Sequence, residues 1–155
     1  MGSSFGYSCS NCGYSFDFML GIGFLYYPES FYRFDWDEEK NTWIYNEENM
    51  WLSVIKSKEM LQEIKDIIMN KNGSMSDNYG YELYYSKTCK EIYSRFYFRL
   101  NYFDDGKKKV YVPKYFDKNK KKMVRVKEED LYSLNIECPI CKGTEFNRLI
   151  GPCWD

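Results

Sequence analysis

The sequence predicts an α+β fold: an antiparallel β-sheet packed on one amphipathic helix, with a four-cysteine site joining the two ends of the chain. Three observations predict it. Four cysteines fall into two close pairs, Cys9-Ser10-Asn11-Cys12 and Cys138-Pro139-Ile140-Cys141. Stretches with a period of two surround the turn sequence Asp104-Asp105-Gly106. One stretch, from about Lys58 to Lys71, carries apolar residues at helical spacing. The 155 residues read as a single domain, 1–155. Cysteine turns at 9–13 and 138–143 flank an inserted helix and hairpin region.

Each element has a local reason. Phe16, Phe18, Leu20 and Ile22 alternate around Asp17, Met19 and Gly21, which reads as an extended segment. Gly21 and Gly23 suit close backbone packing better than a dinucleotide loop, because no helix pattern follows them. The helix has Ser57 to cap it, Glu59 in its first turn and Lys71-Asn72-Gly73 to end it. Its stripe of Met60, Leu61, Ile64, Ile67 and Ile68 reads as a core face. From Arg95 to Tyr102 the apolar residues fall on one side and Arg95, Tyr97, Arg99 and Asn101 on the other. Beyond the turn, a strand runs through Val110 and Val112 until Pro113 ends it. A third strand, Met123 to Lys127, turns Arg125 outward, and Glu128-Glu129-Asp130-Leu131 reads as an acidic or helical turn. No internal repeat shows beyond the paired cysteine spacings.

The two-residue gap lets one tight turn present two thiolates to a single metal, and two such pairs complete a tetrahedral set. The candidate ligands are therefore Cys9, Cys12, Cys138 and Cys141. A pair of disulfides, or free redox thiols, remains the alternative. No apolar leader precedes Cys9, so a reducing cytosol is the expected compartment, where structural disulfides are rare. Zinc, in a structural role, is expected ahead of iron, although four thiolates accept either.

These turns resemble the knuckles of zinc-ribbon and rubredoxin-like proteins. Cys9-x-x-Cys12-Gly13-Tyr14-Ser15-Phe16 running into Leu20-Gly21-Ile22-Gly23-Phe24 is similar to small, mostly uncharacterised bacterial zinc-ribbon proteins. The chain departs from a minimal ribbon, since 125 residues separate Cys12 from Cys138. The resemblance implies two ribbon sites, of which one is degenerate here. Ser86-Lys87-Thr88-Cys89 keeps one cysteine of that spacing and Phe116-Asp117-Lys118-Asn119 keeps none. Cys89 is expected to carry no metal, and a small buried hydrophobe is its plainer reading. Cys153 is a spare thiol.

Composition narrows the function. With no histidine among the 155 residues, His-based triads, proton shuttles and His metal ligands are excluded. Four thiolates leave no open metal position, and no spacing marks a catalytic dyad, so an enzyme is not expected. No apolar run approaches the ~20 residues that cross a bilayer, so no membrane partner is expected.

Charge is uneven beneath a net of −1. Residues 1–50 hold 2 basic and 8 acidic side chains, and residues 106–155 hold 12 and 7. One candidate surface is the acidic, Trp-bearing stretch Asp35, Trp36, Asp37, Glu38 and Glu39, suited to a protein partner. Trp43 and Trp51 nearby read more simply as core. A second candidate is a basic aromatic sheet face of Arg95, Tyr97, Arg99, Lys109, Tyr111 and Arg125, suited to nucleic acid. Lysines also blunt exposed strand edges, which is the plainer reading of that face. A protein partner, with the chain acting as inhibitor, immunity protein or adaptor, is expected ahead of nucleic acid and of iron-based electron transfer.

Overall fold

The computed structural model describes residues 2–23, 26–32, 34–45 and 50–154, with the side chains of 34–36, 43, 45 and 154 outside that description. The strands and helices run in the order β1 (Gly2–Cys9), β2 (Ser15–Leu20), β3 (Phe34–Asp37), β4 (Thr42–Tyr45), α1 (Trp51–Val54), α2 (Lys58–Asn70) and β5 (Ser74–Met75). They continue with β6 (Gly80–Ser86), β7 (Glu91–Tyr97), β8 (Leu100–Asp104), β9 (Lys107–Tyr111), β10 (Val124–Val126) and β11 (Phe146–Trp154). The ladders are antiparallel, and the class is α+β. Where the sequence reads as one domain, the chain gathers into two compact units, 1–23 with 80–97 and 114–155, and 24–79 with 98–113.

The first unit holds two three-stranded sheets, ordered β11-β1-β2 and β10-β6-β7. Phe5, Phe18, Leu83, Tyr85, Ile92 and Leu131 form its buried core, with Phe5 and Phe18 rings 5.3 Å apart. The alternation seen around Phe18 does mark a strand. That strand stops at Gly21, which exchanges two backbone hydrogen bonds with Tyr81, at 2.9 and 2.7 Å. Gly80, beside this bridge, has a φ of +146°, and a Cβ there would meet the Gly21 carbonyl oxygen at 2.8 Å. Close backbone approach thus accounts for Gly21 and for Gly80, which the sequence reading did not single out.

The second unit carries α2, the ladder β3-β4 and the sheet β5-β8-β9. Ser57 caps α2 by accepting the Met60 N–H at 3.2 Å, and Met60, Ile64, Ile67 and Ile68 are buried. Leu61 is only half-buried, at the margin of the stripe. Trp51 belongs to the core: its indole N–H donates to the Phe31 carbonyl at 2.9 Å, and its ring lies 4.7 Å from both Phe31 and Phe98.

Two boundaries differ from the sequence reading: β9 ends at Tyr111, before Val112, and a break divides another expected strand. The stretch Arg95 to Tyr102 is not one strand, because β7 ends at Tyr97 and β8 begins at Leu100. Phe96, Phe98 and Leu100 are all fully buried, so the period of two continues through the break. Alternation reports burial and is blind to a change of partner strand. The acidic turn at residue 128 is a 3-10 helix, Glu128–Ser133.

Candidate metal centre

The site begins with strand pairing. β1 and β11 are antiparallel neighbours over almost their whole length, with Cys9 opposite Phe146. That ladder brings the first knuckle against the second, and the Ser10 N–H donates to the Glu145 carbonyl at 2.9 Å to link them. Neither strand was legible in advance, because β1 is Gly- and Ser-rich and β11 contains Gly151 and Pro152.

Both knuckles close in the same way. The Gly13 N–H donates to the Cys9 carbonyl at 2.9 Å, and the Lys142 N–H to the Cys138 carbonyl at 3.0 Å. Both donors have left-handed backbones, with φ of 73° at Gly13 and 62° at Lys142. In the second knuckle a lysine therefore takes the turn expected of a glycine. Gly143 is needed for room instead: a Cβ there would lie 2.5 Å from the Asn11 amide nitrogen and 3.3 Å from the Cys141 sulfur. The Gly143 N–H also points at Cys141 Sγ, 3.4 Å away.

The four sulfurs of Cys9, Cys12, Cys138 and Cys141 lie within 4.8 Å of one another. Cys9 Sγ is 3.5 Å from Cys141 Sγ, and Cys12 Sγ is 3.6 Å from Cys138 Sγ. Tetrahedral metal–thiolate bonds of ~2.3 Å require sulfurs ~3.8 Å apart, so the donor set fits a metal ion with little adjustment. Both of these close contacts join sulfurs of different knuckles, so the two turns meet in one cluster. All six cysteines are free thiols, and the disulfide alternative has no counterpart in the structure.

Electrostatics favour stepwise deprotonation. Burial pushes the Cys138 thiol up, but the backbone N–H groups of Cys141 and Ile140 outweigh it and bring its pKa down to about 7. At Cys12 a backbone N–H from Tyr14 favours the thiolate, yet burial and the three neighbouring sulfurs prevail and raise it to about 12. A divalent cation would supply the charge that lets the last thiols ionise.

No protein-family model, curated protein or solved structure gives a significant match to the chain. The site therefore stands on its own geometry. Among the described residues, no helix is long and apolar enough to cross a membrane.

The remaining cysteines stand apart from the cluster. Cys153 is exposed on β11, opposite Ser3. Cys89 is buried and meets the second degenerate turn through Asp117 and Asn119, while Phe116 is exposed. The sequence pairs Phe116 with Asn119; the inward residue is Asp117, whose carboxylate accepts the Ser86 hydroxyl at 2.5 Å.

The basic aromatic residues divide between the two units. Arg95, Tyr97 and Arg125 share one face of the β10-β6-β7 sheet, together with Glu82 and Tyr84. Arg125 lies 4.1 Å over the Tyr97 ring and 3.1 Å from Glu82, and Arg95 lies 5.0 Å over the Tyr93 ring. Arg99, Lys109 and Tyr111 belong to the second unit. Lys109 pairs with Asp104, while the Tyr111 hydroxyl donates to Glu63 and its ring stacks on Phe98. The single continuous face drawn from sequence depends on the unbroken strand that the structure divides.

Of the acidic surface, Glu38 and Glu39 are exposed in the turn between β3 and β4. The Lys40 N–H and ammonium hold the Asp37 carboxyl below its ordinary range. The side chains of Asp35, Trp36 and Trp43 lie outside the described residues.

Proposed function

We propose that this is a non-enzymatic, zinc-stabilised protein that acts by binding another protein, with the zinc ribbon as its structural anchor. The observation that carries this reading is the four-cysteine cluster at the junction of β1 and β11. Four sulfurs fill a tetrahedral shell and leave no position for an activated water, which suits structure over hydrolysis. Zinc is favoured over iron because the site's work is to clamp two knuckles, and d¹⁰ zinc does this without redox chemistry.

A protein partner is favoured over nucleic acid because two of the four cations of the candidate basic face are already paired with carboxylates. Arg125 and Lys109 each pair with a carboxylate of their own unit, and Tyr111 is half-buried, stacked on Phe98 with its hydroxyl on Glu63. Such groups have less to offer a phosphate backbone. On the second unit, the exposed acidic tip at Glu38 and Glu39 suits a basic protein surface.

Affinity capture from nuclease-treated lysate tests the reading. The same partner should be retained by the Arg95→Ser/Arg99→Ser/Arg125→Ser variant and lost by Glu38→Lys/Glu39→Lys. Phosphate contacts give a steep salt dependence, near −0.9 per contact on duplex DNA in log–log form. Nucleic-acid binding that persists at roughly 150 mM salt and disappears in the triple arginine variant would reverse the order of the two readings.

A further inference from the structure

The two sheets of the first unit have one topology. In each, a hairpin joined by a knuckle gains a third strand on the edge of its first strand: β11 beside β1-β2, and β10 beside β6-β7. The registers agree residue for residue. Ser8 faces Ser15 across the first hairpin, and Tyr85 faces Ile92 across the second, each pair 77 positions on from its counterpart. That shift places Ser86 on Cys9, Cys89 on Cys12 and Lys90 on Gly13. Lys90 has a φ of 56°, and its N–H donates to the Ser86 carbonyl at 2.7 Å, as Gly13 does to Cys9. The third strands agree as well. Asn147 faces Ser8 and Val124 faces Tyr85, so Arg125 stands where Arg148 does.

The remaining knuckle is residues 117–121. Lys120 has a φ of 59° and donates its N–H to the Asp117 carbonyl at 2.9 Å. This turn is one residue shorter than the others, so the ligand positions fall on Asp117 and Asn119. Ser86, Cys89, Asp117 and Asn119 accordingly converge as the four cysteines do, and they bond to one another. The Ser86 hydroxyl donates to Asp117 Oδ2 at 2.5 Å and accepts the Cys89 N–H at 2.9 Å. The Asn119 amide donates to Cys89 Sγ at 3.4 Å. Asp117 Oδ1 takes the N–H groups of Asn119 and Lys121 at 2.8 and 2.9 Å.

We propose that residues 80–126 are a second ribbon nested inside the first, and that this hydrogen-bonded quartet holds its knuckles together in place of a metal ion. The chemistry explains the exchange. Four thiols are poor donors and need a cation to gather them, whereas a hydroxyl, an amide and a carboxylate supply matched strong donors and acceptors. The outer ribbon is closed by metal and the inner one by hydrogen bonds.

Rebuilding the inner site tests this. Ser86→Cys/Asp117→Cys/Asn119→Cys gives that site four cysteines with Cys89. Refolded with Co²⁺ or Zn²⁺, the variant should bind two ions per chain where the native protein binds one. The cobalt–thiolate absorption per chain should double. A folded variant that stays at one ion overturns the proposal. Asp117→Ala in the native chain gives a second reading should the triple variant fail to fold. It should lower the melting temperature by several degrees while metal content stays at one. An unchanged melting temperature, or loss of the metal, overturns the proposal.

Discussion

Cys9 and Cys138 occupy the same place in their knuckles: each is the first cysteine, each is buried, and each carbonyl accepts the N–H four residues on. Cys12 and Cys141, the second cysteines, are exposed. The cluster therefore has an inner pair packed against the protein and an outer pair facing solvent.

Cys138→Ser should lose most of the metal and destabilise the first unit by more than about 4 kcal/mol, at the severe end for single changes. Cys89→Ser and Cys153→Ser should cost no more than about 1 kcal/mol, since each keeps a small side chain outside the cluster. Denaturant melts with metal analysis measure both. Equal damage from Cys89→Ser would point to another ligand set.

Purified protein should be colourless and carry close to one zinc per chain by elemental analysis. A red protein with thiolate-to-iron bands would make it an iron site of rubredoxin type. Stripping the metal with a chelator should raise amide exchange first in β1 and β11, whose pairing the cluster completes.

Gly80→Ala should destabilise the first unit by roughly 1–3 kcal/mol, because it places a Cβ against the Gly21 carbonyl on a backbone that L-residues rarely adopt. Gly106→Ala, at φ +71° with nothing within 4 Å, meets backbone strain alone and should cost less. Paired thermal melts separate the two contributions.

Asp117 titrates below the ordinary carboxylate range, chiefly because the Ser86 hydroxyl donates to it, with the Lys121 and Asn119 N–H groups adding to this. A depressed folded-state pKa means stability that is present above the unfolded value of ~3.9 and lost as pH falls through the folded one. Acid unfolding of Asp117→Asn should accordingly be shallower below about pH 4. An identical acid profile would show that the carboxylate contributes nothing there.

The α2 boundaries, its cap and its buried stripe were legible because Ser57 and the isoleucine spacing are local signals. The four clustered cysteines were legible because paired cysteines carry their own turn geometry. The ladder that unites them was not, since Gly2-Ser3-Ser4 and Gly151-Pro152 carry no strand pattern and derive their order from pairing with each other. The division into two units was hidden for a related reason. Phe96, Phe98 and Leu100 alternate without interruption across it, although Phe96 falls in the first unit and the other two in the second. The inner ribbon showed in the sequence only as the spacings of Ser86 to Cys89 and Phe116 to Asn119, because its knuckles keep the outer pair's backbone geometry but only one cysteine.

The β1–β11 ladder sets Gly2 opposite Trp154 and makes the described chain a closed circuit, fastened by the cysteine cluster. A break at the exposed Asp77-Asn78 loop would leave one fragment bearing Cys9 and Cys12 and another bearing Cys138 and Cys141. Each fragment holds two of the four clustered sulfurs, half of a tetrahedral shell. The fragments should complement each other when a divalent thiophilic ion is supplied and fall apart on chelation, which makes the fold a natural metal-gated split protein.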